Sequence, residues 1–184
     1  EPRRLDDIPD AALRLGRLAG TTAAARRFAQ AFRERHARLQ RQYAGSAPVR
    51  LFYEIWPQPL MTINGKHLIS DVMRLCGAVN VFADVPALAP TVSVEAVLVA
   101  APQIIVAGSP KGKAPGWLEA WRRWSRLPAV RHDQLYSIDP DLMQRQGPRI
   151  LDGAERLCVV VDRARRKFAA EPETGLVRPE SAPP

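Results

Sequence analysis

Three short apolar runs set the terms for this chain: Val49 to Ile55, Gln103 to Ala107 and Gln134 to Ile138. Helical patterns separate them, and no tight hairpin signal joins one run to the next. Short buried runs alternating with helices read as a parallel sheet whose faces are both covered. The expected fold class is therefore α/β: a three-layer α/β/α lobe with a mainly parallel sheet, preceded by a long helix. At 184 residues and 46% hydrophobic content, the chain is long enough for one core and suggests one domain.

The helices announce themselves by caps and periodicity. Leu5 to Leu18 reads as a short helix with Ile8, Leu13, Leu15 and Leu18 as its apolar residues and Gly20 as its stop. Thr21 or Thr22 can cap the next helix, which runs to about Tyr43 with Phe28, Phe32, Leu39 and Tyr43 on one face. A helix from about His67 to Cys76 ends at Gly77. Ser93 caps another over Val94 to Ala100. From about Pro115 to Arg126 a helix carries Trp117, Trp121 and Trp124 as a stripe that predicts burial against the sheet. Gly147-Pro148 opens the last helix, with Pro148 suited to its first position and Ile150, Ala154, Leu157, Val161, Ala164 and Phe168 as its seam. GSPKGKAPG, from Gly108 to Gly116, reads as a flexible loop without phosphate-loop spacing. The final EPETGLVRPESAPP has too little apolar material to pack and is expected to be disordered.

In an open α/β sheet, ligands collect where loops leave the carboxyl ends of strands. The loop after the first strand, Trp56 to Met61, contains two prolines that fix φ. It therefore holds Trp56, Pro59, Leu60 and Met61 with little freedom, although Trp56 packed into the core would satisfy the composition equally well.

Charge and motif content narrow the function. The net charge is +8, mostly from arginine. The arginines are spread along the helices, however, and neither aromatic–glycine interleaving nor zinc-finger spacing accompanies them, so they read as a solvated face rather than a nucleic-acid surface. A single-lobe interaction or nucleic-acid module is the rival that this charge keeps open. His36, His67 and His132 have no partner at metal-ligand spacing and read as surface residues, and no metal site is expected. No nucleophile elbow, HExxH, dinucleotide-binding glycine motif or paired carboxylate points to catalysis or to a cofactor. No apolar run approaches the roughly 20 residues of a bilayer span. EPRRLDDIPD at the start lacks the basic and then apolar pattern of a signal peptide, which an exported protein would have lost. Cys76 and Cys158 suit buried thiols in a reducing compartment or a pair in an oxidising one.

The stretch VRLFYEIWPQPLMTINGKHLISDVMRLCGAVNVF, Val49 to Phe82, resembles the start of the C-terminal lobe of the periplasmic cobalamin-binding proteins that feed vitamin B12 ABC importers. These belong to the helical-backbone class of binding proteins. The resemblance continues through SVEAVLVAAPQIIVAG (Ser93 to Gly108), WRRWSRLPAVRHDQLYSIDPDLMQRQGPRI (Trp121 to Ile150) and the terminal helix to about Arg166. It implies that residues 1–20 are the last piece of an N-terminal lobe, 21–46 the helix linking the lobes, and 47–170 the C-terminal substrate-binding lobe. The tail is then 171–184, and most of the N-terminal lobe is expected to be absent. The resemblance further implies a non-enzymatic periplasmic protein that captures a corrinoid and passes it to the importer permease. Trp56, Pro59, Leu60, Met61, Asp139 and Leu142 are the expected ligand contacts. It also implies a Cys76 to Cys158 disulfide. Where the family presents an acidic residue to its permease, this chain has Gln144, with Asp141 as the available substitute. Ferric siderophore or haem on the same scaffold is the nearest rival. An arginine or tyrosine cluster in the cleft would favour it, and Tyr53 and Tyr136 are the only tyrosines after the linking helix.

Overall fold

The computed structural model describes residues 2–109 and 115–170. Part of the loop expected from Gly108 to Gly116, and the whole of the tail expected to be disordered, lie outside the described residues.

Two helices lead. α1 (Asp7–Leu18) ends where Gly20 takes a positive φ of 69°, and α2 (Thr22–Tyr43) runs 22 residues, about 33 Å at 1.5 Å per residue. Thr21 sits at the N-cap of α2, but its side chain makes no capping bond. Phe32 and Leu39 are buried along α2, with Phe28 and Tyr43 packed against the same core. His36 falls between Phe32 and Leu39 on that face and is buried too, its Nδ1 3.2 Å from the Asp6 carboxylate. Its expected surface position is thereby corrected. On α1 only part of the expected face is covered: Ile8 is buried, while Leu15 and Leu18 are 65% and 85% exposed.

The sheet follows. β1 (Val49–Glu54), β4 (Ala78–Asn80), β5 (Ile104–Gly108) and β6 (Leu135–Ile138) form one parallel sheet in the order β4-β1-β5-β6. Between β1 and β4 a two-stranded ribbon, β2 (Trp56–Pro57) and β3 (Leu60–Met61), turns back through a cis Gln58–Pro59 peptide, as in a type VI turn. The hairpin and β4 are additions to the sequence expectation.

Side chains alternate across the sheet with period two. Val49, Leu51 and Tyr53 of β1, with Ile104 and Val106 of β5, face the core shared with α2, α3 (Leu68–Leu75) and α8 (Ile150–Ala169). Phe52 of β1, with Ile105 and Ala107 of β5, faces the opposite core. That core is closed by α4 (Val94–Ala100), α5 (Gly116–Glu119), a 3-10 turn (Ala120–Arg123) and α6 (Pro128–Arg131). These two cores make the three layers.

Local caps explain the boundaries. His67 Nδ1 accepts from Ile69 N (3.1 Å) at the start of α3, and Gly77, at φ 72°, ends it. Ser93 Oγ accepts from Ala96 N (3.1 Å) at the start of α4. Asp139 does the same for α7 (Pro140–Met143), accepting from Asp141 N at 2.9 Å. The last helix begins at Ile150, so Pro148 lies in the turn before it rather than at its first position. The tryptophan helix also departs from expectation. It tightens to 3-10 after Glu119 and stops at Trp124, which leaves the helical face and is 37% exposed. The expected disulfide between Cys76 and Cys158 is formed, and both sulfurs are buried. Among the described residues no helix is long and apolar enough to cross a membrane.

Candidate functional site

The chain leaves β1 toward β4 on one side of the sheet, then crosses over to β5 on the other. The crevice at the carboxyl ends of β1 and β5 is thus the topological switch point, the place where open α/β sheets hold ligands. The β2–β3 ribbon rises directly from it.

Backbone bonds fix that ribbon. Ile55 N donates to Met61 O (3.0 Å), Thr62 N to Pro90 O (3.0 Å) and Val92 N to Leu60 O (2.9 Å). Thr62 Oγ1 donates to Tyr53 O at 2.8 Å, locking the ribbon to β1. On this frame Trp56 is 58% exposed, and its indole N–H donates to Gln58 O (2.9 Å) inside the same loop. The alternative of a core Trp56 is excluded. Pro59 is exposed, and Leu60 and Met61 are half-buried.

The second expected cluster lies after β6, separated from the ribbon by β5. Asp139 is half-buried and engaged as the α7 cap. Leu142 is 8% exposed and belongs to the interior. Its backbone passes close to α8, where a Cβ added at Gly153 would sit 2.8 Å from Leu142 O. Of the expected ligand contacts, Leu142 is thus the one whose side chain the lobe itself largely covers. Asp141 pairs with Arg145 at 2.9 Å, and Gln144 is exposed beside it, its amide nitrogen reaching over Gly108 at the end of β5.

Beneath the ribbon lies a groove of about 330 Å³, lined by Glu54, Pro57, Leu60, Trp117, Trp121 and Trp124 among others. Here the tryptophan stripe does two things. Trp121, 5% exposed, packs edge-on to Phe52 at 5.8 Å as core, while Trp117 and Trp124 wall the groove. Sequence reasoning passed over Glu54, which is 2% exposed at the groove floor and accepts a hydrogen bond from Trp121 Nε1 at 2.7 Å. Burial pushes its carboxyl up to about 7, with the Trp121 bond acting in the opposite direction. The available signal was an acid inside an apolar strand run.

Among the described residues no tyrosine or histidine side chain lines this groove. Tyr53 is wholly buried, and Tyr136 bonds to Gln134 (2.9 Å) beneath the Arg163 guanidinium. His36 lies on α2, His67 caps α3, and His132 precedes β6 at the opposite edge of the sheet, against Phe168. Among the described residues no group of three or more His, Cys, Asp or Glu is placed to hold a metal.

Comparison with known proteins places this geometry. Residues 2–142 match the family model described as periplasmic binding protein. The chain belongs to that family. It is 36% identical over 168 residues to the vitamin B12-binding protein of Vibrio cholerae serotype O1, covering 91% of this chain and 60% of that protein. It is 32% identical over 158 residues to the vitamin B12-binding protein of Photorhabdus laumondii, covering 86% and 55%. The crystal structure of the periplasmic vitamin B12 binding protein of Vibrio cholerae superposes with a TM-score of 0.82 at 34% identity, over 90% of this chain and 64% of that one. The haem-binding protein BhuT superposes at 0.78 with 16% identity, over 90% and 65%, which is a likeness of fold alone. The chain thus spans 60% and 55% of the length of these two curated relatives.

Proposed function

We propose that this chain forms the C-terminal lobe and linking helix of a two-lobed periplasmic protein. It would capture cobalamin or a related corrinoid between its lobes and deliver it to an ABC importer. The assignment to residues is 1–20 as the end of the first lobe, 21–46 as the linking helix and 47–170 as the second lobe. The 36% identity to a vitamin B12-binding protein across 91% of this chain carries the reading.

The edge chemistry supports it. A corrinoid presents a broad apolar face rimmed with amides, which suits a rigid aromatic and apolar ribbon better than a charge cluster. Trp56, Pro59, Leu60 and Met61 supply that ribbon, and Asp139 approaches from across β5. Haem is commonly held through tyrosine or histidine at the iron. Neither residue type lines the groove or the ribbon among the described residues. The arginine excess has local partners that weaken a nucleic-acid reading: Arg33 pairs with Asp10, Arg122 with Glu119 and Asp133, and Arg165 with Asp162. Asp141 and Gln144, beside Arg145, form the surface offered to the permease.

Calorimetric titration with cyanocobalamin, haem and a ferric siderophore tests this, using the 184-residue chain and the two-lobed protein side by side. Corrinoid binding by the two-lobed protein alone is the expected result. A response only to haem or siderophore would replace the ligand, and salt-sensitive nucleic-acid binding would replace the class.

A further inference from the structure

The Glu54 groove contains a polar group that the ribbon account does not use. The carboxyl lies at the end of β1 on the Phe52 side of the sheet, under the β2–β3 ribbon and against the 3-10 turn. One oxygen accepts from Trp121 Nε1, and among the described residues no donor serves the other. Glu54 lines the groove, and its second oxygen is not among the sealed, partnerless atoms of the interior. The surrounding walls are Pro57, Leu60, Trp117 and Trp124. Among the described residues, Arg123 is the only other charged side chain lining the groove. A like charge at the rim disfavours a cationic occupant, and the buried carboxyl repels an anionic one. A neutral hydrogen-bonding group remains.

We infer that Glu54 is a specificity-determining residue that reads a neutral carboxamide of the ligand in this groove and discriminates against the corresponding carboxylate. An amide N–H can donate to Glu54 when the carboxyl is ionised, and an amide oxygen can accept from it when it is protonated. A ligand carboxylate finds a donor only in the protonated form. With Glu54 titrating near 7, discrimination must therefore grow as pH rises through neutrality. The inference rests on the corrinoid reading, because corrinoids carry several peripheral amides.

The test uses the two-lobed protein with cyanocobalamin and with its isomeric monocarboxylic acids, each having one peripheral propionamide hydrolysed. Wild-type affinities at pH 5.5 and 8.5 require no variant. The expected result is that one isomer loses at least tenfold more affinity than cyanocobalamin between those pH values. In Glu54→Gln, which cannot ionise, the same isomer should show no such loss. If cyanocobalamin binds but every isomer keeps a constant ratio to it, the corrinoid reading stands and the role of Glu54 is overturned. Failure of the wild-type protein to bind cyanocobalamin overturns both.

Discussion

Two neighbouring residues of β1 carry opposite kinds of cost. Tyr53 is 0% exposed, its hydroxyl meets no hydrogen-bond partner among the described residues, and burial pushes its ionisation upward. A buried unsatisfied hydroxyl costs about 1 to 3 kcal/mol. Tyr53→Phe should therefore leave stability unchanged or raise it by about 1 kcal/mol, read from the urea midpoint, whereas a loss of that size would reveal an unrecognised bond. Glu54 titrates instead. Its folded carboxyl sits at about 7 against an ordinary value of 4.5, so the folded state binds the proton more tightly than the unfolded one. Its contribution is then most favourable below 4.5, declines as pH rises from about 4.5 to about 7, and is constant above that. The full swing is about 3 kcal/mol. Glu54→Gln removes it, so the variant should gain on wild type over that window, and parallel stability curves would contradict the account. Tyr53 was not legible from composition, and the one signal for Glu54, an acid within the apolar run VRLFYEI, does not tell which side of the sheet it faces. Only the register, which sends Tyr53 to one core and Glu54 to the groove, separates them.

Elements were legible where a local rule decides them. Gly20 and Gly77 stop helices through positive φ, and Ser93 starts one through its hydroxyl, so those boundaries stand in the sequence itself. β4 is different. It is three residues long and exists because Val49, Arg50 and Leu51 offer it a parallel partner, a pairing with no local signature. The two-residue strands of the ribbon depend likewise on their neighbours, and the tryptophan helix was overextended because its spacing does not record the tightening at Ala120. Between elements, α8 is the common anchor. Arg35 of α2 reaches Asp152 and Glu155 of α8, each at 2.7 Å. Arg35→Ala should cost about 1 kcal/mol, less at high salt, as expected for a partly exposed pair. The Cys76–Cys158 bridge ties α3 to the same helix across a sequence separation of 82 residues. Closing so long a loop restricts the unfolded chain, and reduction should cost about 4 kcal/mol in the chain-entropy model. The comparison is denaturant unfolding with and without reductant. Two reactive thiols in the unreduced, denatured protein would remove its basis.

At the scale of the whole molecule, the parallel sheet, the switch-point edge and the ribbon that stands on it separate folding from recognition. Trp56 tests the separation. Its ring is 58% exposed, its N–H is satisfied within its own loop, and the ribbon is held by backbone bonds that do not involve its side chain. Removing the ring takes little from the folded lobe, so Trp56→Ala should move stability by no more than about 0.5 kcal/mol, the usual range for a surface substitution. In the two-lobed protein the same change removes an aromatic anchor from the proposed corrinoid contact. It should weaken cyanocobalamin binding by about 1 to 3 kcal/mol, roughly 5- to 150-fold. Trp121 supplies the contrast: at 5% exposure and packed on Phe52, its replacement by alanine should cost about 3 to 5 kcal/mol of stability before any ligand is added. Calorimetry and thermal unfolding on the two variants separate the roles. Unchanged affinity in Trp56→Ala would detach the exposed indole from the ligand and leave the buried groove beneath it as the surface to test.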